Sequence, residues 1–337
     1  MGLVIDPPLL NSANPWATTY EDLRSLYETP YSGAVTTRTS LLEGFPHDPV
    51  IHQYTFFNPS THDQTANKTK PEASTTASLN TLGYSPITLP EYLEFIKRIS
   101  DEQQKLSRNA SKSFIISVTG GVEDTLECYR LITQCQSQVS MPLAMEINLS
   151  CPNIPNKPPP AYSGDRLTEY LSALKPHAST TSEAQSRSSG VPIGIKTPPY
   201  TYMDQFNTLV KALVKSASGE APCPVSFITA TNTLGSSLVL ADDSTPVIAS
   251  ANKTGIGGLA GPPLHPLALG NVHTLRDLLS KQPELAHVQI IGVGGVEDAA
   301  GFARMRKVGA SAVGVGTALG RYGVDVFEKI IKGMDMD

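Results

Sequence analysis

The chain has 337 residues, 40% hydrophobic and 17% charged, the balance of a globular protein with a sizeable core. Its net charge of −5 gives no basic footprint for nucleic acid or an anionic membrane surface. No apolar run approaches the roughly 20 residues of a membrane span, and the N-terminus lacks a basic region and carries Pro7 and Pro8, against a secretory signal. A cytoplasmic protein is expected. Of the four cysteines, Cys128, Cys135, Cys151 and Cys223, none forms a C-x-x-C pair, so no metal site is expected.

Two weak strand candidates come first, residues 33–37 and 77–80, separated by a polar stretch at 59–76 rich in Thr, Ser and Lys. A clear strand at 114–118 precedes a helical segment carrying Cys128 and Cys135, and another follows at 144–149. Leu167, Tyr170, Leu171 and Leu174 then form one apolar stripe of a helix that Pro176 is expected to end. A second polar insertion spans 178–190, before strands at 192–196 and 227–231. The insertion at 236–263 carries Leu238, Val239, Leu240, Val247 and Ile248, and reads as a hairpin or lid near a barrel mouth. The strand at 288–293, a helix at 298–308, the strand at 312–315 and a helix at 324–331 complete the chain. Eight strands alternating with helices predict an α/β fold: one (β/α)₈ TIM-barrel domain over 1–337, with insertions at its C-terminal mouth.

In such a barrel, function lies at the carboxyl ends of the strands. There the fourth expected strand runs into Asn148-Leu149-Ser150-Cys151-Pro152-Asn153 and the fifth ends at Lys196. The sixth ends at Thr231-Asn232-Thr233, the seventh at Gly294-Gly295 and the eighth at Gly316-Thr317. Glycine lets the backbone approach an anion, and helix N-terminal N–H groups donate to it, so two glycine turns before helices predict a phosphate site. Tight turns alone are the plainer reading of each. Lys196 calls for an anionic or electron-rich partner. A reduced flavin ring, a Schiff-base carbonyl, or solvent reached by snorkelling would each satisfy it.

Cys128, Cys135 and Cys223 read as small buried hydrophobes. Cys151 differs, because Asn148 and Asn153 flank it and Ser150 adjoins it, which suits a proton acceptor or a nucleophile. No histidine lies nearby in sequence, against a Cys–His protease pair. Asn80, Asn148, Asn153 and Asn232 facing one mouth would suit a planar ligand with both donors and acceptors, such as a pyrimidine, although each singly is a common turn or cap residue.

The run Asn148-Leu149-Ser150-Cys151-Pro152-Asn153-Ile154-Pro155 closely resembles the active-site loop of the class 1A dihydroorotate dehydrogenases, the soluble, dimeric, fumarate-using branch. The likeness extends from Asn11 to Lys332. It implies that FMN is the cofactor, that dihydroorotate is oxidised to orotate in pyrimidine biosynthesis, that fumarate reoxidises the flavin, and that the protein is a homodimer. Cys151 would take the proton from C5 of dihydroorotate while hydride passes from C6 to FMN N5. Asn80, Asn148, Asn153, Asn232 and Thr233 would hold the pyrimidine, with backbone help from Leu82, Gly83 and Tyr84. Lys196 would face the flavin ring, Gly294, Gly295, Gly316 and Thr317 the phosphate, and Gly261 and Thr231 the isoalloxazine, with Asn148, Ala13 and Thr39 as further flavin contacts.

The branch carries a lysine where this chain has Arg38, which could clamp the orotate carboxylate bidentately. Its small Ser-Gly near the N-terminus is Ala13-Asn14 here, and the charged stretch after the early strand is reduced to Leu42-Glu43-Gly44-Phe45-Pro46. These departures keep alternatives in view: a related flavin barrel acting on another dihydropyrimidine or an ene substrate, and a non-catalytic barrel that binds flavin or pyrimidine. An aldolase-type barrel using Lys196 as a Schiff base would be colourless.

Overall fold

The structure is a computed structural model and describes residues 3–64, 71–106, 112–150, 159–178, 190–217 and 222–334. In chain order the first half contains β1 (Leu9–Asn11), α1 (Tyr20–Glu28), β2 (Ala34–Thr36), β3 (Tyr54–Phe57), β4 (Ala77–Asn80), α2 (Leu89–Lys105), β5 (Ser113–Val118), α3 (Val122–Gln136), β6 (Leu143–Asn148) and α4 (Gly164–Ala178). The second half contains β7 (Ile193–Thr197), α5 (Met203–Ser216), β8 (Val225–Ala230), β9 (Leu234–Ser237), β10 (Gly257–Ala260), α6 (His265–Ser280), β11 (Gln289–Val293), α7 (Ala299–Lys307), β12 (Ala312–Val315), α8 (Thr317–Tyr322) and α9 (Asp325–Met334).

Eight of these strands pair in parallel around a closed barrel, in the order β1, β2, β5, β6, β7, β8, β11, β12 and back to β1. The fold is the expected (β/α)₈ barrel. The helices lay apolar stripes on its outside. In α2, Leu89, Tyr92, Leu93, Ile96 and Ile99 are all buried, and Thr88 and Glu91 close a capping box that fixes its start. The stripe of Leu167, Tyr170, Leu171 and Leu174 on α4 is likewise buried.

The barrel interior is layered. Leu10, Ala34, Ile115, Ala144, Phe227, Ile291 and Ala312 pack one apolar layer. Gly194 makes room for it, since a Cβ there would lie 2.1 Å from the Phe227 ring. Two residues further along their strands, Ser117, Glu146 and Thr229 are buried polar groups bonded to one another. The inside therefore changes from apolar to polar on the way to the carboxyl ends.

Two sequence expectations need correction. Residues 77–80 are not a barrel strand. As β4 they pair antiparallel with β3 and β10, and β9 extends this into a separate four-stranded sheet in the order β3-β4-β10-β9. The true first barrel strand is β1, whose three residues between Pro8 and Asn14-Pro15 are too few to show a period. Pro176 does not end its helix, because α4 runs to Ala178. In a last turn the missing N–H costs a single bond.

The four-stranded sheet obeys the two-residue repeat of a strand. Ala77 and Leu79 join Phe57, Val239 and Ile248 in a small apolar cluster, while Ser78 and Asn80 face the cavity described next. The polar insertions expected at 59–76 and 178–190 lie partly outside the described residues, at 65–70 and 179–189. No helix among the described residues is long and apolar enough to cross a membrane.

Candidate active site

One cavity gathers most of the side chains singled out in the sequence. The loop after β1 contributes Ala13, the segment after β2 contributes Arg38 and Thr39, and β4 and its following loop contribute Asn80, Leu82, Gly83 and Tyr84. From β6 and β7 come Asn148 and Lys196, and from the end of β8 come Thr231, Asn232 and Thr233. Gly261, Gly294, Gly295, Gly316 and Thr317 complete that set. Cys151 and Asn153 lie outside the described residues.

The cavity also has walls that sequence reasoning missed, namely Ser12, Asn14, Trp16, Tyr54 and Ser78. Trp16 stacks on Phe56 at 5.6 Å and meets Tyr54 edge-on at 5.5 Å. The first three follow the strand that was too short to see. Ser78 and Asn80 were one alternation apart on β4, which was the available signal.

Among the described residues, the cavity is lined by two cations, Arg38 and Lys196, and by no acidic side chain. Both are almost fully enclosed, Lys196 at 3% exposure and Arg38 at 9%. Burial pushes the Arg38 guanidinium below its usual value, and one of its nitrogens donates to the Tyr84 carbonyl at 2.9 Å. Nearby, burial and then the Arg38 charge hold the His47 imidazole below its usual value. Burial does the same for His52, with Asp48 opposing it and Arg38 adding to it. The Asp48 N–H donates to His52 Nδ1 at 2.8 Å, so that nitrogen carries no proton.

The glycine turns are built for close backbone approach. Gly294 and Gly295 take φ of 144° and 68°, and Gly261 opposite takes 89°, a region that L side chains avoid. The turn is buttressed from behind. Arg304 Nε donates to His265 Nε2 at 3.2 Å, which leaves Nδ1 to donate to the Gly294 carbonyl at 2.7 Å. Gly316 caps α8, whose first N–H groups have no partner inside the helix. Ser78 and Thr317 exchange a hydroxyl hydrogen bond of 2.8 Å, tying the covering sheet to that helix. The α7 terminus is satisfied by its own cap, since Asp298 accepts from the Gly301 N–H at 2.7 Å.

The amides are held as firmly. Asn148 Nδ2 donates to Thr39 Oγ1 at 3.1 Å, and its Oδ1 accepts from both the N–H and the hydroxyl of Ser150, at 3.2 and 2.9 Å. Asn232 Nδ2 donates to Ser150 Oγ at 3.0 Å. Asn80 Nδ2 donates to the Gly258 carbonyl at 3.1 Å. The remaining cysteines stand apart: Cys128, Cys135 and Cys223 are buried free thiols in the packed layers.

A closed parallel barrel with a cavity at its C-terminal mouth, lined by two cations and by no acidic side chain among the described residues, is the arrangement of a barrel enzyme. The chain belongs to the dihydroorotate dehydrogenase family, whose sequence model matches residues 60–336. These are oxidoreductases. Proteins from Streptococcus agalactiae and Streptococcus uberis, both carrying the provisional name dihydroorotate dehydrogenase A (fumarate), are each 29% identical over 332 residues. The alignment covers 98% of this chain in both cases, and 89% and 88% of theirs. Two Eimeria tenella dihydroorotate dehydrogenase structures share the fold. The ligand-free one has a TM-score of 0.68 at 17% identity, covering 99% of this chain and 86% of that one. The complex with ferulenol has a TM-score of 0.68 at 18% identity, covering 97% and 80%.

Proposed function

We propose that this chain oxidises dihydroorotate to orotate with FMN, and that fumarate is the final acceptor. The observation that carries the reading is the cavity itself, with two enclosed cations, no acid among its described walls, and amides and glycine turns on one surface. A flavin phosphate, a reduced ring and a pyrimidine carboxylate are all anionic, and the donor set fits them. FMN, when bound, supplies the hydride acceptor. In this reading Gly294, Gly295, Gly316 and Thr317 donate to its phosphate, and Lys196 balances charge on the ring. Gly261, Thr231, Ala13, Thr39 and Asn148 pack along the isoalloxazine. Asn80, Asn148, Asn153, Asn232 and Thr233 hold the pyrimidine, beside the backbone of Leu82, Gly83 and Tyr84. Cys151 removes the C5 proton. Assembly as a homodimer in the cytoplasm belongs to the same reading, by likeness to the fumarate-using branch.

The test is to purify the protein, record its visible spectrum, and add dihydroorotate without oxygen. Bleaching of a yellow protein, reversed by fumarate, is the expected result. A colourless protein, or a yellow one that dihydroorotate leaves unbleached, overturns the reading. Arg38 favours one second reading, a related flavin barrel acting on another dihydropyrimidine, for which a different dihydropyrimidine would bleach the protein where dihydroorotate does not.

In the same reading Arg38 holds the carboxylate, a role supported by its Tyr84 bond leaving further guanidinium donors. Arg38→Ala is expected to weaken orotate binding about 10- to 100-fold, the worth of a charge-assisted hydrogen bond. Calorimetric titration showing an unchanged affinity would remove the clamp from the mechanism.

A further inference from the structure

Beneath the cavity a buried carboxylate ends a chain of hydrogen bonds whose directions are fixed by chemistry. Glu146 lies two residues before Asn148 on β6, inside the barrel, at 2% exposure. Its Oε1 accepts the Ser117 hydroxyl at 2.8 Å and its Oε2 accepts the Thr229 hydroxyl at 2.6 Å. A carboxylate only accepts, so Ser117 gives it its single proton. Ser117 Oγ must then accept in its 2.9 Å contact with Thr39 Oγ1, which makes Thr39 the donor there. The Thr39 oxygen is left to accept from Asn148 Nδ2. At the far end of the same amide, the Ser150 N–H can only donate, which holds Oδ1 toward it. Both ends therefore agree on one orientation.

The Asn148 oxygen is engaged twice by Ser150, and one amide hydrogen is engaged by Thr39. What Asn148 has left for an occupant of the cavity is a single N–H. We propose that Glu146 is a positioning residue: through Ser117 and Thr39 it locks Asn148 as a donor, so the site selects a carbonyl oxygen over an amino group at that point of the ligand. This rests on the pyrimidine reading above. It adds that Glu146 and Ser117, which do not line the cavity, share with Ser150 in setting that preference.

Without an acceptor at position 146, the Ser117 hydroxyl is free to donate to Thr39. Thr39 can then donate to a reversed Asn148, whose oxygen would welcome an amino group. The reversal gives up the long 3.2 Å bond from the Ser150 N–H, while the Ser150 hydroxyl can turn to accept from the amide. Glutamine keeps an acceptor oxygen for Ser117 while its amide hydrogens can face the Thr229 oxygen. The experiment is calorimetric titration of the flavin-loaded protein with orotate and with its 4-amino analogue, cytosine-6-carboxylate. Wild type is expected to prefer orotate by about 100-fold, the scale of one mispaired buried donor or acceptor. Glu146→Gln should stay near that ratio, and Glu146→Met should bring it to within about tenfold.

A purely structural role would lower the melting temperature of Glu146→Met and leave the ratio unmoved, and that result overturns the proposal. If Glu146→Met does not fold, Ser117→Ala breaks the same relay with a smaller change and carries the same expectation and the same contrary outcome. A wild type that binds neither compound overturns the functional reading and this inference with it. A wild type that binds orotate while the variants keep its selectivity overturns the inference alone.

Discussion

Flavin reduction by dihydroorotate should slow by about 10²- to 10⁴-fold in Cys151→Ser, the usual contribution of a positioned general base, while FMN stays bound. An ordinary thiol titrates near ~8.5, so only about 3% is thiolate at pH 7. The deprotonated form is the active one, so the wild-type rate should climb about tenfold per pH unit and level off near that value. No other described cysteine can stand in. Burial pushes the Cys128 thiol up to about 12, with nearby Asp124 and Glu127 adding to it, and pushes Cys135 up to about 11. Burial raises Cys223 as well. Stopped-flow reduction at unchanged speed in Cys151→Ser, or a rate flat across pH 6 to 9, would exclude Cys151 as the base.

Gly295→Ala should largely empty the protein of flavin. Its φ of 68° is costly for alanine, by about 1–2 kcal/mol. The new Cβ would stand 2.7 Å from the Gly261 carbonyl, 2.8 Å from His265 Cβ and 3.0 Å from Pro262 Cα. Two of those neighbours are backbone, which cannot swing aside, so overpacking adds about 1–3 kcal/mol. Both glycines line the cavity, and on the proposed reading moving Gly295 withdraws a phosphate donor while moving Gly261 disturbs the wall beside the ring. FMN affinity of the apoprotein, read by fluorescence quenching, should fall about 100-fold, from one or two lost charge-assisted bonds. Gly270→Ala is the control. It sits on α6 with nothing within 4 Å of a Cβ, so it should gain about 0.5–1 kcal/mol of stability and keep its flavin. Equal flavin content in the two variants would refute the role of the turn.

Much of this architecture is legible in the sequence because each signal is local. The six strong strands are apolar runs bounded by turns, and their carboxyl ends carry the amides, Lys196 and the glycines that the cavity collects. What escaped is what only closure decides. Leu9–Asn11 is a strand because β2 and β12 flank it, and no three-residue run announces that. Residues 77–80 have strand character, and the sequence does not say which sheet receives them. Glu146 was an acid in a strand otherwise apolar up to Asn148, a visible anomaly whose meaning needed Ser117 and Thr229 from other strands.

The ring closes by pairing the first strand with the last, Leu9 against Val313 and Asn11 against Val315. A nascent chain therefore emerges with its opening strand unpartnered on one side until almost everything else has been made. The glycine turn at Gly316 and the hydroxyl at Thr317 arrive later still. A chain truncated before residue 312 would have two raw sheet edges and would lack Gly316 and Thr317 from the cavity wall.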